Sequence, residues 1–496
     1  MTDWPKCIQN WDQDISQGRG RAVTTALKSL NYAKIPRQYV AAIAKIAYRA
    51  GLPFVSLRII NRLIRPGKNR WLKTTPEEVA EYAMALIRIG ASPEALKTLE
   101  PLSGADQPTV LLYRSFALIT RWEYREAAPF LEEYIHHKNV TDYQRLVGQV
   151  NLAAAWVNIE KFDAAEKSLA QLVRVTQERS LSLLYGNCLE LLAQIAVFKQ
   201  DWPRAEELLR KGHAQLAESS SVDFLFLQKW QCLLKLYRQP KSQTALKERA
   251  AVRNQAIERE HWETVRDCDF YAAKFSADEN LLRYVYYGTP FNGYRQFMQR
   301  RLEKGFTPSE AYVYSAATLQ NPKKIFDLKE ASDARQTMML KKGQLLHRLL
   351  NHLCSDFYRP FRLGAIFNEL YPKEYFDAEL SVIKINQLAE RLRGWFCENQ
   401  VGAELTGKSG AYKLRVSAET GFRIHDGNTI KSGLALYHQR LQEHFNEREF
   451  TAAKAAEALN VTKRMVNKII AWDEGKTISK KGRGPTISYY FESEDG

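Results

Sequence analysis

Residues Gly402 to Ser409, GAELTGKS, satisfy the spacing GxxxxGK[ST], in which backbone N–H groups ring a nucleotide's phosphates and the lysine reaches the outer ones. That chemistry needs a buried strand before the loop and a helix after it. Here the segment leaves an amphipathic stretch and enters 411-AYKLRV-416, which alternates like a strand, so a basic hairpin tip fits better. His136, His137 and Lys138 form a second cluster. They fall at a predicted helix end, where cations complement the macrodipole, and no further ligand stands at metal spacing. Solvated surface is expected there. The chain contains no HExxH, GxSxG or Cys–His–Asp arrangement. No enzymatic activity, catalytic residue, metal or cofactor is therefore expected.

A different chemistry gathers near the end of the chain. Thr462, Lys463, Arg464, Asn467 and Lys468 are donors suited to phosphates and base edges in a major groove. Lys480, Lys481 and Arg483 follow on a glycine-bearing tip. To position them, 451-TAAKAAEALNVTKRMVNKII-470 must form two short crossing helices that bury Ala456, Leu459, Val461, Val466, Ile469 and Ile470. Asn460 holds the turn, where a residue tolerating positive φ is required. Thr451 and Thr462 stand where hydroxyls cap free N–H groups. The stretch 475-GKTISKKGRGPTISYYF-491 then reads as two strands around the basic tip. This order resembles a winged helix-turn-helix, which implies double-stranded DNA as the partner.

A second module precedes it. The stretches 343-GQLLHRLLNHLCSDF-357, 359-RPFRLGAIFNELYPKEY-375 and 379-ELSVIKINQLAERLRGWFCENQ-400 read as three helices, and 402-GAELTGKSGAYKLRV-416 as a hairpin. The Arg391-Leu392-Arg393 run and the hairpin ending Gly-Ala-Tyr-Lys-Leu resemble the OmpR/PhoB and SARP type of winged helix. That resemblance implies a recognition helix presenting Lys384, Gln387, Glu390, Arg391 and Arg393. The four-stranded sheet that usually opens such domains is not visible in the sequence, and its receiver domain is replaced by helical repeats. The two modules are bounded at 338–426 and 432–491.

Upstream, the first 290 or so residues show no strand-like alternation. Several stretches pair an apolar helix with one opening on an aromatic and an alanine, as in 152-LAAAWVNIEKFDAAEKSLAQL-172 and 189-LELLAQIAVFKQDWPRAEELLRKG-212. Ala95, Ala127, Ala165 and Ala205 recur at steps of 32, 38 and 40 residues, the period of stacked two-helix repeats. Residues 37–290 resemble irregular tetratricopeptide repeats, best at 142–217, although most signature positions of the first helix are missing. Another α-solenoid or a plain bundle would carry the same pattern. The repeats are assigned to 76–325, with residues 291–335 read as closing helices and a linker. A partner surface is placed at Asn151, Asn158, Asn187 and Gln194, whose amides are unusual at packed helix faces. Outward-facing solvated positions would carry them equally well. Residues 1–75 form a basic opening segment, with Arg58, Arg62, Arg65, Lys68, Arg70, Lys73 and Trp71 on a solvated helix face or at a polyanion contact.

Composition sets the outer bounds. The 496 residues are 45% hydrophobic and 26% charged, an ordinary globular balance. No apolar run reaches the roughly 20 residues of a membrane span, and MTDWPKCIQN lacks an apolar signal core. Six scattered cysteines fit reduced thiols, so a cytoplasmic location is expected. The net charge of +16 is uneven: residues 1–75 hold 14 Lys and Arg against 3 Asp and Glu, whereas residues 331–496 hold 25 against 20. The expected fold class is mainly α, a solenoid of tetratricopeptide-like hairpins plus two small α+β winged domains. The expected function is a bacterial DNA-binding transcription regulator whose repeats bind a peptide, small effector or protein, with homodimer formation compatible. The alternative is a scaffold whose repeats and winged domains assemble a protein complex without DNA.

Overall fold

Five turns between paired helices are built on one residue in the left-handed region: Gly51, Gly90, Trp122, Glu160 and Gln200, with φ of 78°, 86°, 62°, 64° and 60°. In the computed structural model, which describes residues 3–16, 19–65, 73–104, 107–217, 223–302, 305–316, 322–408, 410–427, 432–446, 448–473, 475–483 and 487–492, all five close in the same way. The N–H after the turn residue reaches five residues back, as in Lys161 N to Trp156 O at 2.9 Å and Asp201 N to Ala196 O at 2.9 Å. That bond satisfies a carbonyl the helix end would otherwise leave unpaired. Five residues beyond the turn residue stand Ser56, Ala95, Ala127, Ala165 and Ala205, all with no exposure. Each lets the second helix approach the first closely. Ala245, 40 residues after Ala205, is equally buried and extends the series.

The described residues are mainly helical, with small sheets confined to the C-terminal part. They divide into two units. The first comprises residues 1–308, 355–387 and 406–414. Its helical hairpins run in pairs from Arg37–Arg49 with Pro53–Ile64 to Asp223–Arg238 with Gln243–Glu258. Capping boxes at Thr75–Glu78 and Thr141–Gln144 start two of the first helices, each satisfying orphan N–H groups at both partners. Gly186 is needed where helices cross, since a Cβ there would lie 2.6 Å from Leu216.

Helix Asn292–Arg301 turns back onto earlier repeats. Tyr294 meets the Trp122 ring edge-on at 4.6 Å, and a Cβ on Gly293 would fall 2.1 Å from the Trp122 carbonyl oxygen. Segment 355–387 also joins this unit. Asp356 and Arg266, both with side chains fully out of water, pair at 3.1 Å. Gly364 N donates to Ile89 O at 3.1 Å, Asn368 and Glu94 exchange two hydrogen bonds, and Phe376 N donates to the Glu94 carboxylate at 3.0 Å.

The second unit comprises residues 309–354, 388–405 and 415–496. Its four-stranded sheet runs Ala311–Tyr314, Thr420–His425, Lys324–Asp327, Ser332–Asp333, with the first pair antiparallel and the second parallel. Phe326 and Phe422 cover its buried side against Trp395. The fully buried His347 accepts from Gly343 N at Nδ1 (2.9 Å) and bonds Leu328 O through Nε2 at 2.6 Å, so it is neutral with the proton on Nε2.

Three expectations change. Ala311–Tyr314, Lys324–Asp327 and Ser332–Asp333 are strands rather than closing helices and linker, because the first two pair with Thr420–His425, about a hundred residues away. The sheet they form is mixed and takes its second strand, Thr420–His425, from the other end of 338–426. The stretch 338–426 is shared between the two units rather than forming one body, since 355–387 is bonded to the repeats.

The Arg266–Asp356 pair gives a test. Asp356→Ala leaves a guanidinium buried without a counter-charge and should cost roughly 3–5 kcal/mol. Arg266→Met should cost less, because Asp356 keeps Arg359 Nε at 2.8 Å and two backbone N–H donors. Urea unfolding of both variants, ranked in that order, checks it.

Candidate functional site

The C-terminal segment builds its basic surface from the core outward. Leu441, Phe445, Phe450, Ala455, Val466, Ile469, Ile478 and Phe491 close one core under helices Gly433–Phe445, Ala452–Ala458 and Lys463–Asp473. Asn460 has φ 49° at the turn, and Val461 N returns to Ala456 O at 2.9 Å. Thr451 and Thr462 cap Lys454 N and Met465 N. With Val466 and Ile469 facing inward, Lys463, Arg464, Asn467 and Lys468 are exposed together on the other face. Strands Ile478–Lys481 and Ser488–Phe491 form the following hairpin. Lys480 and Arg483 are exposed on it, while Lys481 pairs with Glu449. Gly484 lies outside the described residues.

One carboxylate aims this hairpin. Asp473, ending its helix, accepts from Thr477 N (3.0 Å), Thr477 Oγ1 (2.6 Å), Ile478 N (2.8 Å) and His438 Nε2 (2.9 Å). Burial alone would raise its pKa, but the Thr477 and Ile478 bonds outweigh that and hold it below the usual carboxylate value. A residue missed in the sequence thus joins three elements.

Helix Leu380–Glu398 presents a different face. Lys384, Gln387 and Arg391 are exposed, yet Lys384 pairs with Glu374 at 2.6 Å. Arg393 donates to Leu405 O at 2.9 and 2.8 Å and also binds Glu390. At the start of this helix, before Lys384, stand bare apolar side chains, Leu380 at 65% and Ile383 at 51% exposure. The GAELTGKS stretch contains strand Ala403–Lys408, followed by strand Ala411–Val416. No helix follows it, so no phosphate loop forms, and Ser409 lies outside the described residues.

On the repeats, Asn151, Asn158, Asn187 and Gln194 are all half-buried on first helices. The Asn151 and Asn158 amides donate to carbonyls four residues back, Val147 O and Ala154 O, both at 2.9 Å. Gln194 donates to Glu190 at 2.6 Å. Beside them lies a buried polar group that the sequence reading passed over: Lys229 pairs with Asp267 at 2.6 Å, and Tyr294 donates to the same carboxylate at 2.8 Å. In the basic opening segment, Arg62 and Arg65 are held by other residues of the fold. Arg62 donates to Ala33 O and Ile35 O, Arg65 pairs with Glu94 and lies over Tyr375, and Arg58 is exposed near Glu379 at 3.9 Å. Lys68, Arg70 and Trp71 lie outside the described residues.

No protein-family profile matches the chain, and no curated protein matches it in sequence. Among solved structures, the chain is similar to the apo form of RapI, with a TM-score of 0.38 and 11% identity over 57% of this chain and 85% of that one. A Rap protein complexed with Competence and Sporulation Factor gives 0.40 and 10%, over 79% and 97%. Likeness at this level carries no functional argument. Among the described residues no helix is long and apolar enough to cross a membrane.

The Glu190 carboxyl is pushed up to about 7 by burial, opposed by Lys229 and the Gln194 bond. Its folded pKa lies above its ordinary 4.5, so the folded state retains the proton and stability falls as pH rises from there toward 7. Glu190→Gln should therefore gain about 1–3 kcal/mol over wild type at pH 8 relative to pH 4.5. Melting curves at the two pH values measure that difference.

Proposed function

We propose that this chain is a DNA-contacting regulator built from a helical-repeat interaction module, tetratricopeptide-like in kind, and a C-terminal winged helix-turn-helix at 432–491. The observation that carries the reading is the set Lys463, Arg464, Asn467 and Lys468, exposed together opposite Val466 and Ile469. Lysine and arginine on such a face neutralise phosphates, and Asn467 and Arg464 can read base edges. The hairpin bearing Lys480 and Arg483 would lie over the adjacent backbone, its direction held by Asp473. The repeats would take a peptide, small effector or protein.

A second reading, a scaffold that assembles proteins, is favoured by one observation at helix Leu380–Glu398. Exposed Leu380, Ile383 and Tyr375 lie by Lys384 and Arg65, cations already paired with carboxylates. An apolar patch flanked by satisfied charges suits protein contact better than a phosphate backbone. On this reading the repeats and the winged modules hold a protein complex together without DNA.

Gel shifts of the full chain against mixed duplexes test the first reading. Binding should fall by roughly 0.9 log unit per log salt for each phosphate contacted. Arg464→Ala with Lys468→Ala should weaken binding about tenfold or more and flatten the salt slope, with no change in melting. Absence of any shift at low salt, or equal affinity in the double variant, would remove this helix from the groove.

A further inference from the structure

An aromatic residue opening a second helix is a sequence feature that neither reading above uses. Phe162 and Trp202, each two residues past a left-handed turn residue, remain half-buried. They line a cavity of about 380 Å³ in the repeats, together with Phe198 and Tyr237. The rings are paired: Phe162 and Phe198 stack at 5.7 Å and 28°, Trp202 and Tyr237 at 6.1 Å and 29°. An apolar cavity of roughly 150 Å³ admits one benzene ring, so this space suits a bicyclic body.

The charged groups of the wall are already engaged. Arg301 pairs with Glu160, which also takes Arg300 at 3.2 Å. The Arg301 guanidinium lies 4.2 and 3.9 Å from the Phe198 and Phe297 ring centres. Lys274 is held as well, its ammonium 4.9 Å from the Tyr237 centre. An anion would have to break such contacts, and a cation would find one already at Phe198 and at Tyr237. A neutral ligand meets neither cost. Two lining groups are nevertheless short of hydrogen bonds. Glu160 and Gln200 hold equivalent turns, but the Gln200 amide has no partner among the described residues. Arg301 Nε, on a side chain only 7% exposed, is buried without an acceptor.

We propose that this cavity binds a neutral planar heterobicycle with a hydrogen-bond donor beside an acceptor, a free aminopurine nucleoside in chemical class. The aromatic rings supply stacking for the body. The Gln200 amide is donor and acceptor at once. It pairs with an amino group and the ring nitrogen next to it, as such amides do with adenine. Arg301 Nε donates to a further ring nitrogen. The inference rests on the repeats being an effector-binding module and is independent of DNA contact.

Calorimetric titration of the full chain with adenosine tests it, beside purine riboside, which lacks only the amino group, and adenosine monophosphate. Saturable one-to-one binding of adenosine is expected, with purine riboside about fivefold weaker for the lost hydrogen bond. The monophosphate should bind no more than about threefold tighter than adenosine, because the cations of the wall are already engaged. Gln200→Leu should bring adenosine down to the affinity of purine riboside, so that the discrimination vanishes. Trp202→Ala should weaken both nucleosides about tenfold or more. Trp202→Phe should restore part of that loss, which separates lost stacking from lost folding. No saturable binding of adenosine to folded wild type, or equal affinity for the two nucleosides, would overturn the proposal. So would discrimination that survives Gln200→Leu, or a monophosphate bound more than about threefold tighter. DNA gel shifts on the same preparation keep such a failure distinct from failure of the DNA reading.

Discussion

A guanidinium removed from water costs several kcal/mol unless its charge is met nearby, and Arg266 is wholly buried in the repeats. One face is met by Asp356 at 3.1 Å and the planes of Phe291, Tyr294 and Tyr358 lie 5.1–5.5 Å from its carbon. Those rings stand where hydrogen-bond acceptors would otherwise be required, since Nε and Nη1 have no hydrogen-bond partner. Asp356 in turn bonds Tyr358 N, Arg359 N and the Arg359 side chain. The pair thus does more than neutralise itself. It requires that residues ninety positions apart meet before either is buried.

That requirement explains why residues 355–387 belong with the repeats. Once Asp356 is seated, the chain beyond it runs past Ile89 and Glu94, whose carboxylate takes Phe376 N, Asn368 and Arg65 together. Glu94 is almost buried and would be costly with fewer donors. The partners are separated by up to 282 residues, so this docking follows the local hairpins in any folding order that forms short-range contacts first. Local pairing supplies the hairpins, and two buried charged centres hold 355–387 to them.

The same contrast separates what was legible in the sequence from what was not. The alanine step was visible at Ala127, Ala165 and Ala205, whose helices open on an aromatic, and Ala95 followed from the 32-residue step before Ala127. Ser56 escaped because a hydroxyl masks its small size, although it donates to Ala44 O within the same kind of crossing. Ala245 escaped because no aromatic opens its helix. Strands of four, four and two residues in 311–333 carry too little alternation to signal themselves, and their partner lies in another part of the chain. The caps and turn at Thr451, Asn460 and Thr462 were readable because they depend only on neighbours. Asp473 was not, because its role comes from His438 and Thr477 meeting it in space.

Counting basic residues would rank the two candidate helices equally, and side-chain geometry does not. A lysine already held by a carboxylate must break that contact before it can neutralise a phosphate, so Lys384 beside Glu374 and Arg393 on Leu405 O begin at a disadvantage. Lys463, Arg464 and Lys468 sit on a short helix that buries Val466 and Ile469 along its length and Asp473 at its end, and the three cations are exposed. Asp473 closes the helix and starts the hairpin with the same four hydrogen bonds, so the direction of Lys480 is tied to that of Lys463. The exposed cations of the helix and those of the hairpin that follows it therefore share one anchor, the Asp473 carboxylate.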